Sequence, residues 1–171
     1  MVHIYCGDGK GKTTAALGLA LRAAGSGMQV HFLQFLKGSE TSELASLSKI
    51  GNIRVLRCDR DYGFAFRMTD EQKRQITACH NRMLRAARER LAAGVTDLLV
   101  LDEFCAAYSL QLIDRQLADA LVLAFPAERE LVLTGRDPEQ KFLDRADYIS
   151  EIRSVKHPYE NGIAARRGIE Y

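Results

Sequence analysis

Three short runs hold the residues most able to do chemistry: 7–14 (GDGKGKTT), Asp102 with Glu103, and Arg136 at the end of LTGR. Glycines 7, 9 and 11 let a backbone wrap tightly, so that N–H groups and a helix N-terminus face an anion. Lys12 supplies a mobile point charge to phosphates, and the Thr13 hydroxyl is placed for Mg²⁺. Asp8, Lys10 and Thr14 complete the loop. A glycine-rich turn before a helix can be only a turn, but GKTT directly after a strand points to a phosphate-binding P-loop. The loop departs from the usual spacing. Three residues, not four, separate Gly7 from Gly11, and Cys6 fills the slot where a glycine is expected. That shortening argues against ordinary γ-phosphoryl transfer.

Asp102 and Glu103 follow LLVL, as in a strand that delivers carboxylates to a P-loop, where one can hold Mg²⁺ directly or through water. The alternative is a strand-end pair facing solvent. Arg136 also closes a strand, so it should reach the carboxyl edge of the sheet and grip a terminal phosphate. A surface ion pair is the alternative there. His3, His31, His80 and His157 have no metal-ligand spacing, and the first three read as structural or surface residues.

The elements that must position these groups follow from the apolar pattern. Strands are expected over 2–6, 28–36, 53–57, 97–103, 130–133 and 148–152. Helices are expected after the P-loop, over 41–49, 69–93 and 114–124, and after Pro138. Residues 59–68 (DRDYGFAFRM) read as a loop. In the longest helix Thr69 and Gln72 fit a capping box. Ile76, Cys79, Met83, Ala87 and Leu91 share one face, and Arg74, Arg82, Arg85 and Arg88 read as a solvated face. Strands alternating with helices imply an α/β domain with a parallel sheet covered on both faces.

Composition sets the bounds. The 171 residues suit one domain, 1–171, with 47% apolar and 27% charged residues. A net charge of +2 is too small to argue for nucleic-acid or membrane-surface binding. No apolar run approaches the ~20 residues needed to span a bilayer, and the N-terminus does not read as a signal peptide. The expected location is cytoplasmic. Cys6, Cys58, Cys79 and Cys105 are widely spaced and are expected as reduced thiols, not as a disulfide or zinc framework.

The sequence resembles the P-loop family of ATP:corrinoid adenosyltransferases. The residues that carry the match are GDGKGKTTAALGLALRA at 7–23, QFLKG at 34–38, GFAF at 63–66, VLDE at 100–103, LTGR at 133–136 and KHPYENGIAARRGIEY at 156–171. The resemblance implies a P-loop NTPase (RecA-like) fold, mostly parallel, and transfer of the 5′-deoxyadenosyl group of ATP to Co(I) of a reduced corrinoid. Inorganic triphosphate is the implied second product, in adenosylcobalamin biosynthesis or salvage. In this family ATP lies in the reverse sense along the P-loop, which would account for the shortened loop.

The resemblance further implies roles. Lys12, the loop amides, a Thr13-bound Mg²⁺ and Arg136 would stabilise the leaving triphosphate. Thr13 and Glu103 match the metal site, with Asp102 behind them. Phe64 and Phe66 would close the lower face of the corrinoid, with Phe in place of the commoner Trp. Taken alone, the two rings would read as core. A homodimer and an external reductant such as a flavoprotein are also implied. Relatives carry an extra helix ahead of the first strand, and the tail from Lys156 is the candidate for closing the site here. The competing readings are a P-loop phosphotransferase or ATPase, and a non-catalytic corrinoid carrier.

Overall fold

The computed structural model describes residues 1–39 and 41–170. Its strands are β1 (Val2–Cys6), β2 (Val30–Gln34), β3 (Ile53–Arg57), β4 (Leu98–Asp102), β5 (Glu130–Thr134) and β6 (Tyr148–Glu151). They form one sheet in the order β3-β2-β4-β5-β1-β6, with every neighbouring pair parallel. The expected α/β sheet is present, and among the described residues it is wholly parallel. The helices are α1 (Lys12–Gly25), α2 (Ser42–Leu47), α3 (Asp70–Ala92), α4 (Phe104–Ser109), α5 (Arg115–Leu123) and α6 (Gln140–Arg145).

Two cores flank the sheet. On one face Ala16, Ala20, Ala23 and Ala24 of α1 and Leu47 of α2 pack on Val30, Phe32, Val100 and Val132. On the other, Ile76, Met83 and Ala87 of α3 join Phe104, Tyr108, Leu121 and Phe142 over Leu33, Leu99, Leu101 and Leu133. Alternate residues of one strand therefore enter opposite cores. That is why β4 reads as an unbroken apolar run rather than an alternating one. The alanine face of α1 lets that helix lie close to the sheet.

The α3 capping box forms as expected. The Gln72 N–H donates to Thr69 Oγ1 at 3.2 Å, and the Thr69 N–H donates to Gln72 Oε1 at 2.8 Å. Arg74, Arg82, Arg85 and Arg88 are exposed, as the charge pattern suggested. The short helix α4 has no counterpart in the sequence reading. No described helix is long and apolar enough to cross a membrane.

The cysteine expectation is corrected for one pair. Cys58 and Cys79 are joined in a disulfide, with Cα atoms 6.1 Å apart. Cys58 follows β3 and Cys79 lies in α3, elements that pack together in the same core. Their spacing of 21 residues matches no cysteine motif, so only the tertiary fold brings them within bridging range. Cys6 and Cys105 are free and buried.

Two buried histidines tie the layers together. His31 on β2 shares a 3.0 Å hydrogen bond with Thr96, and His80 on α3 binds the Leu112 carbonyl at 2.9 Å. Burial is the main cause that lowers each imidazole to about 4. The Arg90 and Arg54 charges add to it at His31, and the Leu112 bond opposes it at His80. In the unfolded chain both protonate near pH 6.5, whereas in the fold they stay neutral to about pH 4. Their contribution is therefore complete above pH 6.5 and is lost as pH falls from there towards 4. Unfolding free energy from urea titrations should drop by roughly 3–4 kcal/mol between pH 7 and pH 5 from this pair. A flat profile over that interval would show that neither imidazole is held neutral.

Candidate active site

The carboxyl ends of β1, β4 and β5 meet at one place, with the end of β2 beside them. Ligands of open parallel sheets bind at such edges. The chain leaves β1 through Gly7 (φ 104) and enters α1 through Gly11 (φ 121), both in conformations that favour glycine. Close approach adds a second demand. A Cβ on Gly7 would stand 2.4 Å from the Ile152 carbonyl oxygen, and one on Gly9 would stand 2.7 Å from the Arg153 backbone. The Gly9 N–H donates to that Ile152 carbonyl at 2.8 Å, and the Ser154 N–H donates to Asp8 at 3.0 Å. Residues 152–154 thus brace the loop from outside.

Lys12 is 9% exposed and curls back so that Nζ donates to the Gly9 carbonyl at 2.8 Å. Thr13 Oγ1 donates to Asp102 Oδ1 at 2.8 Å, joining the P-loop to the end of β4. Asp102 is wholly buried and accepts two further bonds: Thr134 Oγ1 reaches Oδ1 at 2.7 Å, and Lys37 Nζ reaches Oδ2 at 2.7 Å. Three donors on one buried carboxylate supply the pairing that a charge there requires.

Glu103 does not continue the strand. It takes a left-handed conformation (φ 58), caps α4, and donates its N–H to Thr134 Oγ1 at 2.9 Å. Burial pushes its carboxyl above the usual carboxylate range. The Asp102 charge adds to this, while Lys37, Lys12 and Arg136 oppose it. Asp102 is the carboxylate bonded to Thr13, and Glu103 feels the charges of Lys37, Lys12 and Arg136.

Arg136 lies just past β5 and is exposed. With Gly7, Asp8, Asp137, Glu151 and Arg153 it lines a cleft of about 530 Å³ beside the P-loop. A second cleft of about 560 Å³ is lined by Thr13, Thr14, Lys37, Glu43, Ile169 and Glu170, among others. Lys10 of the P-loop stands 3.9 Å from Glu170. The tail therefore returns to the P-loop as far as Glu170, and Tyr171 lies outside the described residues.

Phe64 and Phe66 do not belong to the core. They are 70% and 79% exposed and lie stacked, with ring centroids 5.6 Å apart and planes 21° apart. Their loop crosses the segment that follows β2. A Cβ on Gly38 would stand 2.2 Å from the Arg60 carbonyl oxygen, so only glycine fits that crossing. An exposed, stacked ring pair is a surface suited to a large flat apolar ligand.

The family model described as ATP:corrinoid adenosyltransferase BtuR/CobO/CobP matches residues 1–171. The chain belongs to this family. Corrinoid adenosyltransferase CobA of Salmonella typhimurium is 30% identical over 171 residues, which cover 100% of this chain and 85% of that protein. The corrinoid adenosyltransferase of Pseudomonas aeruginosa is 32% identical over 170 residues, or 98% and 82% of the two chains. That of Escherichia coli K12 is 29% identical over 171 residues, covering 100% and 85%.

Membership makes the chain an enzyme of the alkyl-transferase class, with ATP and a corrinoid as the substrates the family implies. For a corrinoid adenosyltransferase the donor set suits Mg²⁺. Thr13, Asp102 and Glu103 offer hard oxygens beside a phosphate loop. No group of three His, Cys, Asp or Glu side chains among the described residues could hold a metal alone. A site that borrows phosphate oxygens from its substrate needs no such group.

Two contributors escaped the sequence reading. Lys37 occurs in QFLKG, but nothing in its spacing marks it as a partner of Asp102. Thr134 sits within LTGR, where Arg136 drew attention instead. Residues that meet only in the fold leave no periodic signal.

Proposed function

We propose that this enzyme transfers the 5′-deoxyadenosyl group of ATP to the cobalt of a Co(I) corrinoid and releases inorganic triphosphate. The observation that carries the reading is the stacked, exposed pair Phe64–Phe66, on a loop that crosses the segment after β2 at Gly38. A phosphotransferase or simple ATPase has no use for such a surface, and a carrier has no use for the buried Lys12–Thr13–Asp102 cluster.

In this reading Co(I) attacks C5′ of the ribose. A Co–C bond forms with the metal's electron pair, the C5′–O bond breaks, and its electrons leave with the triphosphate. Co(I) carries no proton, so no general base is required. The chain has two tasks: to hold C5′ in line with cobalt, and to stabilise charge growing on the triphosphate. Lys12, the amides of the 7–14 loop and Arg136 perform the second. Thr13, Asp102 and Glu103 would hold Mg²⁺, which supplies further charge neutralisation to the triphosphate when bound. Phe64 and Phe66 would press on the lower face of the corrinoid. They carry no donor atom, so cobalt is left without a fifth ligand and is easier to reduce. The tail segment from Lys156 to Glu170 would cover the nucleotide side. A flavoprotein-type external reductant, a homodimeric state and a cytoplasmic location belong to the same proposal.

Product analysis tests it. With chemically generated Co(I) corrinoid, Mg²⁺ and ATP, adenosylated corrinoid and triphosphate should appear in equal amounts. ADP or diphosphate as the first product would replace this reading with phosphoryl or nucleotidyl transfer. Bound corrinoid without ATP turnover would replace it with the carrier.

A further inference from the structure

Lys37 is placed with unusual care for a loop lysine. Its Nζ lies 2.7 Å from Asp102 Oδ2 and 3.2 Å from Thr13 Oγ1, between the two groups best suited to a divalent cation. The side chain is 25% exposed, so it reaches in from the cleft and is not locked in the core. Each neighbouring backbone group is held. The Phe35 N–H donates to the Asp102 carbonyl at 3.0 Å. Leu36 adopts a left-handed conformation (φ 58), and its N–H donates to His80 Nε2 at 3.2 Å. The Lys37 carbonyl accepts from Arg57 Nη2 at 3.2 Å.

A non-glycine residue in that conformation persists only where its surroundings over-determine it. His80 is the determinant. Its Nδ1 donates to the Leu112 carbonyl, which leaves Nε2 as the acceptor that the Leu36 N–H needs.

We propose that Lys37 is a built-in counter-cation of the nucleotide site. With the site empty its ammonium neutralises buried Asp102 and covers the Thr13 hydroxyl. When metal and nucleotide load, Lys37 gives up those oxygens and turns to the phosphates, and His80 is the positioning residue that aims it. The inference rests on the reading of 7–14 as a phosphate loop, but not on which bond of ATP is broken. A buried carboxylate without a cation is costly, so the empty site needs a substitute charge. An ammonium and a divalent cation cannot share the same two oxygens, so they compete.

Competition gives opposite signs for two ligands, which general damage cannot do. Lys37→Met, titrated with Mn²⁺ alone, should bind the ion about tenfold more tightly than the wild type, equivalent to about 1.4 kcal/mol. The same variant should bind inorganic triphosphate without metal about tenfold more weakly. His80→Gln should shift Mn²⁺ affinity in the same direction by a smaller factor, because the lysine is loosened and not removed. If the methionine variant does not fold, Lys37→Gln carries the same two expectations. Unchanged or weaker Mn²⁺ binding in a folded Lys37 variant overturns the proposal, as does unchanged triphosphate binding. Neither titration contains corrinoid or turnover, so the adenosyl-transfer reading can fail without affecting the result.

Discussion

Lys12→Ala should lower ATP affinity by roughly 10- to 100-fold, the equivalent of losing one charge-assisted contact of about 1.5–3 kcal/mol. The single-turnover rate should fall further, by about 10²–10³-fold, because charge on the leaving triphosphate grows in the transition state and loses a preorganised partner. Lys12 is nearly buried and its ammonium already rests on the Gly9 carbonyl, so it enters catalysis with little freedom left to lose. Calorimetric titration with ATP and rapid-quench measurement with preformed Co(I) would separate the two losses. A folded variant within threefold of wild type in both would remove the P-loop lysine from the mechanism.

Phe66→Ala should separate reduction of the corrinoid from adenosyl transfer. If the ring excludes a lower ligand, its loss leaves room for water or the corrinoid's own base beneath cobalt. Co(II) then stays five-coordinate and is harder to reduce. Each 59 mV in a one-electron couple is tenfold in the equilibrium. Activity starting from Co(II) and a biological reductant should therefore fall steeply. Activity from preformed Co(I) should fall far less, and the four-coordinate Co(II) signal in electron paramagnetic resonance should disappear. The ring is 79% exposed, so the melting temperature should scarcely move, as for other surface substitutions. Equal losses from both starting states would assign Phe66 to general substrate binding and not to ligand exclusion.

The sequence was most informative where chemistry and local structure coincide. GDGKGKTT marks the loop between β1 and α1, and LLVLDE marks β4, because each needs its residues in unbroken order. The same directness holds for the Thr69–Gln72 box, whose two bonds span three residues. Glu103 was harder to place. A strand reading carries it straight on from Asp102, whereas the chain bends there into a left-handed residue and a helix. Its neighbours FCAAYS are too short a run to show a helical period. Lys37, His80 and the Cys58–Cys79 bridge were out of reach for a different reason, since every one acts through a partner at least 21 residues away. The exposure of Phe64 and Phe66 could not be read from their alternation, which fits a buried strand equally well.

The strand order has a consequence for how the protein is made. The 7–14 loop follows β1, which precedes the other five strands of the sheet, yet the two strands that flank β1 are β5 and β6. Neither neighbour exists until β5 (Glu130–Thr134) has been translated, roughly ten seconds after β1 at ordinary elongation rates. The braces at Ile152, Arg153 and Ser154 arrive later still. The nascent chain can build the β2–β3 and β2–β4 pairs while the 7–14 loop waits with an unpaired strand. Such an exposed edge is a natural client for a chaperone. The conformation of the 7–14 loop should accordingly settle late in synthesis, although its residues precede five of the six strands.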